Sequence, residues 1–297
     1  MRQTEPSEAV QQQVRHYYDA VGWQKEGEHY QNARYEDLRP VSAAYIRRCH
    51  RRVKRHLKPQ GRFLLDAGSG PIQYPEYLLY SQGYRYRVCA DLSIVALKEA
   101  RQRIGEHGLF VVADVANLPF RQDVFDGVVS LHTLHHLPVA QQPRAYRELY
   151  RVLGRGTSAV VVNGWTESRL MQRWLPFVRL MERLGAISHR STAKSTAPQS
   201  AGGAEQKRSE AETVQGKTAT GTFVQKLTAD WLRRELGQEM RLEIGVWRSV
   251  SVRFLRAVIH PLLLGRLWLW LLYALEERWP AYFGEKGQYP LIVIRKD

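Results

Sequence analysis

The sequence predicts an α/β fold of the Rossmann-like class, with a doubly wound, mostly parallel seven-stranded sheet whose last strand is antiparallel. Three observations lead to this prediction. Short aliphatic and β-branched segments alternate with helical patterns, the first such segment ends in a glycine-rich turn, and acidic residues follow the ends of successive segments. Strands that alternate with helices are joined by right-handed crossovers, which produce a parallel sheet covered on both faces.

The composition supports a globular protein. The 297 residues are 44% hydrophobic and 25% charged, which excludes a fibrous or wholly disordered chain. The two cysteines, Cys49 and Cys89, are too few for a disulfide scaffold and fit a reducing compartment. No apolar run reaches the roughly 20 residues of a spanning helix, and residues 1–14 lack the apolar segment of a secretory signal. We therefore expect a soluble, cytoplasmic protein, and a membrane-peripheral location stays open as an alternative.

The elements follow one another with the period of an α/β chain. The pattern predicts strands over residues 62–66, 86–90, 109–113, 124–130, 158–163, 241–247 and 290–295. It predicts helices over residues 8–18, 41–57, 71–81, 93–104, 139–153, 165–184, 228–236 and 253–278. Pro71 and Ser93 stand where helix starts favour proline and serine. Residues 187–221 are rich in Ser, Thr, Ala, Gly and Gln and contain no aromatic residue, so we expect a flexible insertion there.

Positive charge is concentrated in one segment of a basic chain. The formal net charge is +15, and residues 47–58 hold seven Lys or Arg, two His and no acid. Ile46, Cys49, Val53 and Leu57 recur within it at helical spacing, which predicts an amphipathic helix with a basic outer face. Two interpretations stay open: a surface helix packed on the sheet, or a docking face for a phosphate-bearing partner.

The glycine turn after the first predicted strand is the clearest sign of a ligand site. Gly68 and Gly70 allow a ligand close to the backbone, at the N-terminus of the next helix. Asp91 follows the second strand and Asp114 the third, where carboxylates bind a ribose diol and an exocyclic amine. The third glycine of a dinucleotide motif is absent. The pattern therefore predicts a nucleoside site that does not take NAD.

These segments resemble the class I S-adenosylmethionine-dependent methyltransferases, in particular the branch called methyltransferase type 11. The resemblance rests on residues 64–71, 118–120, 130–138 and 146–156. It implies S-adenosyl-L-methionine as the cofactor, bound by Asp66, Ala67, Gly68, Gly70, Asp91, Leu92, Asp114, Val115 and Ser130. The family usually has glycine at the position of Ile72, so we expect this branched side chain to narrow the methionine end of the site.

The resemblance also divides the chain. Residues 1–60 are expected to form N-terminal helices that cover the cofactor, and residues 61–165 the cofactor-binding core. Residues 166–227 would hold an apolar helix and the flexible insertion, and residues 228–297 the rest of the fold with an apolar helical insertion at 253–278.

The methyl acceptor is less clear. Residues 130–138 lack the Asn/Asp-Pro-Pro-Tyr signature for base amines, and no Pro-Cys nucleophile is present, which argues against a nucleobase methylase. They contain His132, His135 and His136, and a neutral imidazole near the methyl group favours O-methylation. His135 and His136 are the candidate catalytic residues; alternatively, these histidines cap the strand and pack under the cofactor. No metal site is expected from them, because no carboxylate or cysteine falls nearby.

Two apolar segments, residues 165–184 and 253–278, admit two interpretations. They would form a lid over a lipid, prenyl or aromatic substrate, leaning on an anionic membrane through Trp and Arg, or they would be extra core or a dimer face. The favoured function is O-methylation, by direct displacement, of a small molecule, lipid-linked intermediate or saccharide. The alternatives are an RNA methyltransferase that uses the basic helix 47–58, with nucleic acid less expected as a partner, and a cofactor-binding module without catalysis.

Overall fold

A seven-stranded sheet forms the centre of the computed structural model, which describes residues 7–23, 25–26, 29–30, 36–195 and 222–297. The strands are β1 (Gly61–Ala67), β2 (Tyr84–Asp91), β3 (Gly108–Val112), β4 (Gly127–Leu131), β5 (Thr157–Val162), β6 (Arg241–Arg248) and β7 (Tyr289–Lys296). Their order in the sheet is β3-β2-β1-β4-β5-β7-β6. All pairs among β1 to β5 are parallel, whereas β7 pairs antiparallel with β5 and β6. The predicted fold class is confirmed.

Strand register brings the site residues to one edge of the sheet. Ala67 at the end of β1 lies opposite Ala90, one residue before the end of β2. Asp91, the last residue of β2, lies opposite Val112, the last residue of β3. Since the carboxyl ends of parallel strands share one edge, the glycine turn, Asp91 and the segment after β3 are neighbours.

Nine α-helices are present in the described part of the chain, and they cover both faces of the sheet. They are α1 (Ser7–Tyr17), α2 (Pro40–Arg52), α3 (Ile94–Ile104), α4 (Gln142–Val152), α5 (Arg169–Ser195), α6 (Ala229–Leu236), α7 (Val252–Val258), α8 (Gly265–Arg278) and α9 (Pro280–Lys286). Leu149 of α4 and Leu232 of α6 belong to the apolar cluster on one face, and Cys49 of α2, Leu97 of α3 and Leu269 of α8 to the cluster on the other.

Two predicted helices are wrong in form. Residues 71–74 are not helical, because Ile72 has a positive φ angle that no α-helix contains, and residues 75–81 form a 3-10 helix instead of an α-helix. The predicted helix 253–278 is broken into α7 and α8 by a 3-10 turn at Pro261–Leu263, which ends in a left-handed Leu264 with φ of 54°. Proline removes a backbone donor, and the left-handed residue redirects the chain.

The predicted flexible insertion is partly wrong. Helix α5 continues to Ser195, so residues 187–195 are helical because they extend an existing helix, to which each residue adds at low cost. Residues 196–221 lie outside the described part of the chain. Among the residues described, the structure contains no helix that is both long and apolar enough to cross a bilayer.

The basic helix packs as its apolar stripe predicts. Ile46, Cys49, Val53 and Leu57 are all buried. The segment is α-helical only to Arg52, after which it tightens into a 3-10 turn over Val53–His56. Its basic face is partly neutralised, because Arg52 contacts Glu276 at 2.9 Å and both Arg52 and Arg55 contact Glu277.

Candidate active site

The turn after β1 has a backbone that requires glycine. Gly68 has φ of 76°, and a Cβ placed on it would lie 2.2 Å from the Thr133 side chain. Gly70 has φ of 54°, and its Cβ would approach the Trp23 ring to 3.0 Å. The turn is held to the sheet by the Gly68 N–H, which donates to the Ala90 carbonyl at 2.7 Å. The close approach of Thr133 and Trp23 leaves no room for a side chain at Gly68 and little at Gly70.

Asp91 fastens the end of β2 to this turn. Its carboxylate accepts the Gly70 N–H at 2.9 Å and the Ser93 N–H at 2.8 Å. Burial raises the pKa of Asp91 to about 6, although both backbone N–H groups favour the charged form. Each oxygen accepts one protein hydrogen bond, so each keeps a lone pair for a ligand hydroxyl.

Asp114, after β3, connects the rim to the N-terminal segment. One oxygen accepts the Ala116 N–H at 2.9 Å, and the other accepts the Gln11 side-chain amide of α1 at 2.8 Å. Further along the same segment, the Tyr18 and Trp23 rings stack with centroids 4.9 Å apart. The structure therefore places the N-terminal segment over the ends of the first three strands.

These residues surround one cavity of about 470 Å³, a volume within the range of small-ligand sites. Six of the predicted cofactor-binding residues line it: Gly68, Gly70, Asp91, Leu92, Asp114 and Val115. Three others do not. Asp66 forms a buried ion pair with Arg87, Ala67 is fully buried, and the Ser130 hydroxyl donates to the Ala67 carbonyl at 2.8 Å, so these residues shape the turn from below.

The cavity fits a nucleoside with a charged tail. It combines a backbone cradle without side chains at Gly68 and Gly70 with carboxylates at Asp91 and Asp114. The indole N–H of Trp23, which also lines the cavity, is buried and has no partner among the described residues. A bound ligand can supply such a partner.

Ile72 does not narrow the site, which corrects the expectation from its side chain. It is fully buried in the apolar cluster that holds Tyr80 and Leu97, and it is not among the residues that line the cavity. The left-handed backbone, with φ of 56°, carries the side chain away from the ligand. Such a conformation is strained for a β-branched residue and persists because the burial of the side chain offsets it.

Two of the three histidines after β4 are held by protein groups. Nδ1 of His136 lies 2.8 Å from the Phe223 carbonyl, which can only accept, so Nδ1 carries the proton and Nε2 accepts from the Tyr18 hydroxyl at 2.8 Å. Nδ1 of His135 lies 3.1 Å from the Asn163 side-chain oxygen. His136 therefore positions Tyr18, whereas His135 keeps Nε2 for the cavity.

All three imidazoles are weak bases. Desolvation in the cavity wall lowers the pKa of His132 to about 3 and that of His136 to about 4, and it brings the pKa of His135 well below its ordinary value. Arg248 and Lys226 lower the pKa of His132 further through their positive charges. These rings are neutral at physiological pH, and they can donate or accept a hydrogen bond more readily than they can take up a proton.

The far wall of the cavity consists of residues that the sequence analysis did not identify. They are Glu36, Tyr74, Tyr77, Lys226, Trp247, Arg248 and Tyr289. Arg248 ends β6, is only 2% exposed, pairs with Glu36, and lies between the Trp247 and Tyr289 rings at 5.0 and 4.6 Å. A charged residue at a strand's carboxyl end was the available signal for Arg248; Lys226 offered none, because it follows the low-complexity segment.

The two apolar segments, residues 165–184 and 253–278, do not line the cavity that the described residues form. Its lining contains no residue of α5, α7 or α8. The lining instead includes Tyr17, Tyr18 and Trp23 of the N-terminal segment, and Thr222, Val224 and Lys226 before α6. The lid interpretation of residues 165–184 and 253–278 is therefore wrong for these walls.

Comparisons with known proteins agree with this geometry. Residues 65–161 match the family model of the methyltransferase domain of type 11. The chain is 30% identical over 123 residues, 40% of its length, to 28% of tRNA (carboxymethyluridine(34)-5-O)-methyltransferase from Arabidopsis thaliana. The curated relatives it matches are longer proteins, of which it spans between 27% and 36%.

Two solved structures share the fold. A DhpI–SAH complex superposes with a TM-score of 0.54 at 11% identity and covers 98% of both chains. A chain from the Haloferax volcanii complex that contains the Trm112 methyltransferase activator superposes with a TM-score of 0.50 at 15% identity, over 86% of this chain and 91% of that one. These two structures confirm the predicted fold class, and the family match over residues 65–161 confirms the predicted resemblance.

Proposed function

Since residues 65–161 match the type 11 methyltransferase domain, a match that implies S-adenosyl-L-methionine as the cofactor, we propose that the chain methylates an acidic oxygen of a small, flat acceptor. When bound, the cofactor would supply an activated methyl group, which an oxygen nucleophile attacks directly while S-adenosylhomocysteine leaves as the thioether. The residues of this chain then have to align the two reactants and exclude water. The observation that carries the proposal is that neutral histidines line the same cavity as Lys226, which forms no ion pair among the described residues, and Arg248, whose Nε has no partner there.

The low pKa values of the three histidines favour an acceptor that is already ionised at neutral pH. A hydroxyl of ordinary acidity needs a base whose pKa lies near the working pH. His132 and His136, with pKa values of about 3 and 4, do not meet this condition. A carboxylate or an acidic phenol is already ionised at neutral pH and needs no base. His135 Nε2 then serves to orient the acceptor through a hydrogen bond, and His136 acts through Tyr18.

The positive charges suit an anionic acceptor. Lys226 lines the cavity beside Gly164, and its Nζ lies 3.2 Å from the point that a Cβ on that glycine would occupy. Among the described residues it forms no ion pair, and burial lowers its pKa. Arg248 pairs with Glu36, but its Nε is buried without a partner in the described chain. An acceptor anion would satisfy both groups.

The aromatic walls suit a flat acceptor. Trp247 and Tyr289 pack against the His132 ring with centroids 4.9 and 5.8 Å away, and Tyr74 and Tyr77 continue the wall. Such faces stack on a ring while the cations bind its charged substituent.

The test is a methyl-transfer assay on a panel of aromatic carboxylic acids and phenols, with matched amines and alcohols, read by mass spectrometry. We expect O-methyl products from the carboxylic acids and the acidic phenols, and no methylated product from the amines or the alcohols. In Lys226→Met, the KM for the acceptor should rise about tenfold, the effect of losing one charged hydrogen bond, while the Kd for S-adenosylhomocysteine stays unchanged. Lys58→Met, which removes an exposed cation from outside the cavity lining, is the matched control. Methylated amines, or an unchanged KM in Lys226→Met, would contradict the proposal.

A second candidate is methylation of an RNA nucleoside. The name of the Arabidopsis relative, which describes an oxygen of a tRNA uridine as the methylated atom, supports it. The net charge of +15 is compatible with this partner. The ion pairs of Arg52 and Arg55 with Glu277 reduce the charge that the basic helix can offer to phosphates.

The two candidates differ in salt dependence. An RNA substrate predicts tRNA binding that weakens steeply between 50 and 200 mM salt, and weaker binding in Arg47→Ala/Arg51→Ala. A small acid predicts a KM that depends only modestly on salt, and no effect of that double variant. The same preparation can be used for both measurements.

A further inference from the structure

Helix α8 and the turn before it expose large apolar side chains to solvent. We name as the Trp/Leu face the residues Leu262, Leu263, Leu264, Leu267, Trp268, Trp270, Leu271, Leu275 and Trp279. Their exposed fractions range from 38% for Leu271 to 96% for Leu262. Isolated exposed apolar residues are normal, but a contiguous set on one helix marks an interaction surface.

The opposite side of α8 is firmly anchored in the protein. Leu269 is 2% exposed, and Glu276 is fully buried. The Glu276 carboxylate accepts the Tyr45 hydroxyl at 2.8 Å and the Ser249 N–H at 2.9 Å, and it pairs with Arg52 at 2.9 Å. Rotating the helix to bury the Trp/Leu face would remove this buried carboxylate from its partners. The outward direction of the face is therefore part of the fold.

The charges of α8 that have no ion-pair partner in the described chain are all positive. The carboxylates of α8, Glu276 and Glu277, are both ion-paired with residues of the basic helix segment. Arg266 near its start and Arg278 at its end are exposed and pair with no carboxylate of the described chain, and Arg278 lies against the Trp279 ring at 5.5 Å. A surface that complements this helix is apolar in its middle and negative at its rim.

Helix α5 repeats this combination. Trp174, Phe177, Leu180 and Leu184 are between 38% and 52% exposed. Four arginines alternate with them between residues 169 and 183, and the single acid of that stretch, Glu182, pairs with Arg253 at 2.8 Å.

From these features we propose that the Trp/Leu face docks on an anionic lipid bilayer, with α8 lying in the plane of the interface. A helix of 14 residues is about 21 Å long and lies on a bilayer without crossing it. Tryptophan rings occupy the headgroup boundary, leucines enter the acyl region, and arginines bind anionic headgroups. A second copy of the chain fits less well, because two chains of net charge +15 repel each other.

The experiment is flotation of the full chain with vesicles of phosphatidylcholine, with and without 30 mol% phosphatidylglycerol. We expect binding to the anionic vesicles, only partly reversed by 0.5 M NaCl, and a blue shift of tryptophan fluorescence. Trp268→Ser/Trp270→Ser should reduce the partition coefficient more than tenfold, because two large apolar rings would no longer be buried at the bilayer interface. Leu109→Ser/Val112→Ser, which removes two exposed apolar side chains from β3 at the far edge of the sheet, should bind as the unchanged chain does.

Three results would overturn the proposal. They are an absence of vesicle binding, equal losses in both double variants, and sedimentation as a dimer that Trp268→Ser/Trp270→Ser converts to a monomer, which would assign the face to a second copy. Titration with S-adenosylhomocysteine monitors the fold of every variant. Vesicle binding does not depend on methyl transfer, so failure of the docking proposal and failure of the proposed function are distinguishable.

Discussion

The carboxylate of Asp91 accepts the backbone N–H of Gly70 at 2.9 Å, which joins the end of β2 to the glycine turn after β1. The bond fixes the carboxylate at the rim of the cavity and stabilises the left-handed Gly70. Two groups that the chain separates by some 20 residues thus form one rigid corner of the site, and most of the predictions below concern this corner.

Removing the Asp91 charge should weaken cofactor binding. The amide of Asp91→Asn cannot replace the carboxylate as the acceptor of two hydroxyl hydrogen bonds. Each such bond to a charged group is worth roughly 1.5–3 kcal/mol. We expect the Kd for S-adenosylhomocysteine, measured by calorimetric titration, to rise more than tenfold. Glu106→Gln removes an exposed carboxylate after α3 and should leave the Kd unchanged. Equal affinity of Asp91→Asn and the unchanged chain would exclude Asp91 as a ribose ligand.

Cofactor affinity should depend on pH through the same residue. Because burial raises the pKa of Asp91 to about 6, the carboxylate that binds the ligand is lost as the pH falls through 6. The Kd should therefore increase between pH 7 and pH 5, by about tenfold per unit once below the pKa, and Asp91→Asn should lack this dependence.

Protonation of Asp91 should stabilise the folded chain, although it weakens cofactor binding. A carboxyl whose pKa is higher in the folded than in the unfolded chain binds more protons when folded, between about pH 4 and 6. Its contribution to stability therefore increases as the pH falls through that window. Comparing the pH dependence of the free energy of unfolding in Asp91→Asn and the unchanged chain measures this difference.

Substituting Ile72 by glycine should affect stability more than binding. Glycine relieves about 1–2 kcal/mol of left-handed strain but removes a fully buried side chain, which costs about 2–5 kcal/mol. We expect the free energy of unfolding, from urea titration, to decrease by about 2 kcal/mol. The Kd for S-adenosylhomocysteine should stay within about threefold, since the side chain does not line the cavity. Tighter binding by more than that would show that Ile72 does restrict the site.

Substitution of Gly68 tests the turn after β1, and substitution of Gly105, which follows α3, is its matched control. Both have positive φ angles, but a Cβ on Gly68 would meet Thr133 at 2.2 Å, whereas a Cβ on Gly105 meets nothing within 4 Å. Gly105→Ala should cost only the backbone strain of a sparsely populated conformation, about 1–3 kcal/mol. Gly68→Ala adds overpacking of about 1–3 kcal/mol and should abolish cofactor binding in calorimetry. Partial recovery in Gly68→Ala/Thr133→Ala would identify Thr133 as the obstacle.

The buried ion pair of Arg52 and Glu276 should be needed for the stability of the fold. Glu276→Gln removes the fully buried charge partner of Arg52 and leaves only the partly exposed Glu277, which should cost about 3 kcal/mol, the lower end of the range for breaking a buried pair. We expect a corresponding decrease in the free energy of unfolding by chemical denaturation. Glu239→Gln breaks the exposed pair with Arg147, which solvent screens, and should leave the free energy of unfolding nearly unchanged. Similar effects of the two variants would mean that α8 is not anchored through Glu276.

Much of the architecture could be predicted because the relevant signals are local in the chain. All seven strands were predicted within about three residues of their observed ends, since aliphatic runs bounded by turns identify strands that are buried on both faces. The nucleoside rim followed from the glycines and from two acids at strand ends, because parallel strands bring those ends to one edge of the sheet. Helix caps at Ser93 and Thr228 depend on single side chains that accept a backbone N–H, and they lie where the sequence placed the helix starts.

By itself, the sequence determined the fold class, the family resemblance and the kind of cofactor, because these depend on the period of apolar residues and on short motifs. Tertiary structure alone decided where Ile72 points, which histidine nitrogens remain available, and which side chains form the acceptor wall. The reason is physical. Ile72 follows backbone angles imposed by its neighbours, and His136 is held by Tyr18 and Phe223 from distant segments. Lys226, before α6, and Arg248, at the end of β6, line one cavity only in the folded chain, where β6 pairs with β7. The same is true of the Trp/Leu face, whose outward direction follows from the buried bonds of Glu276 to Arg52 and Tyr45.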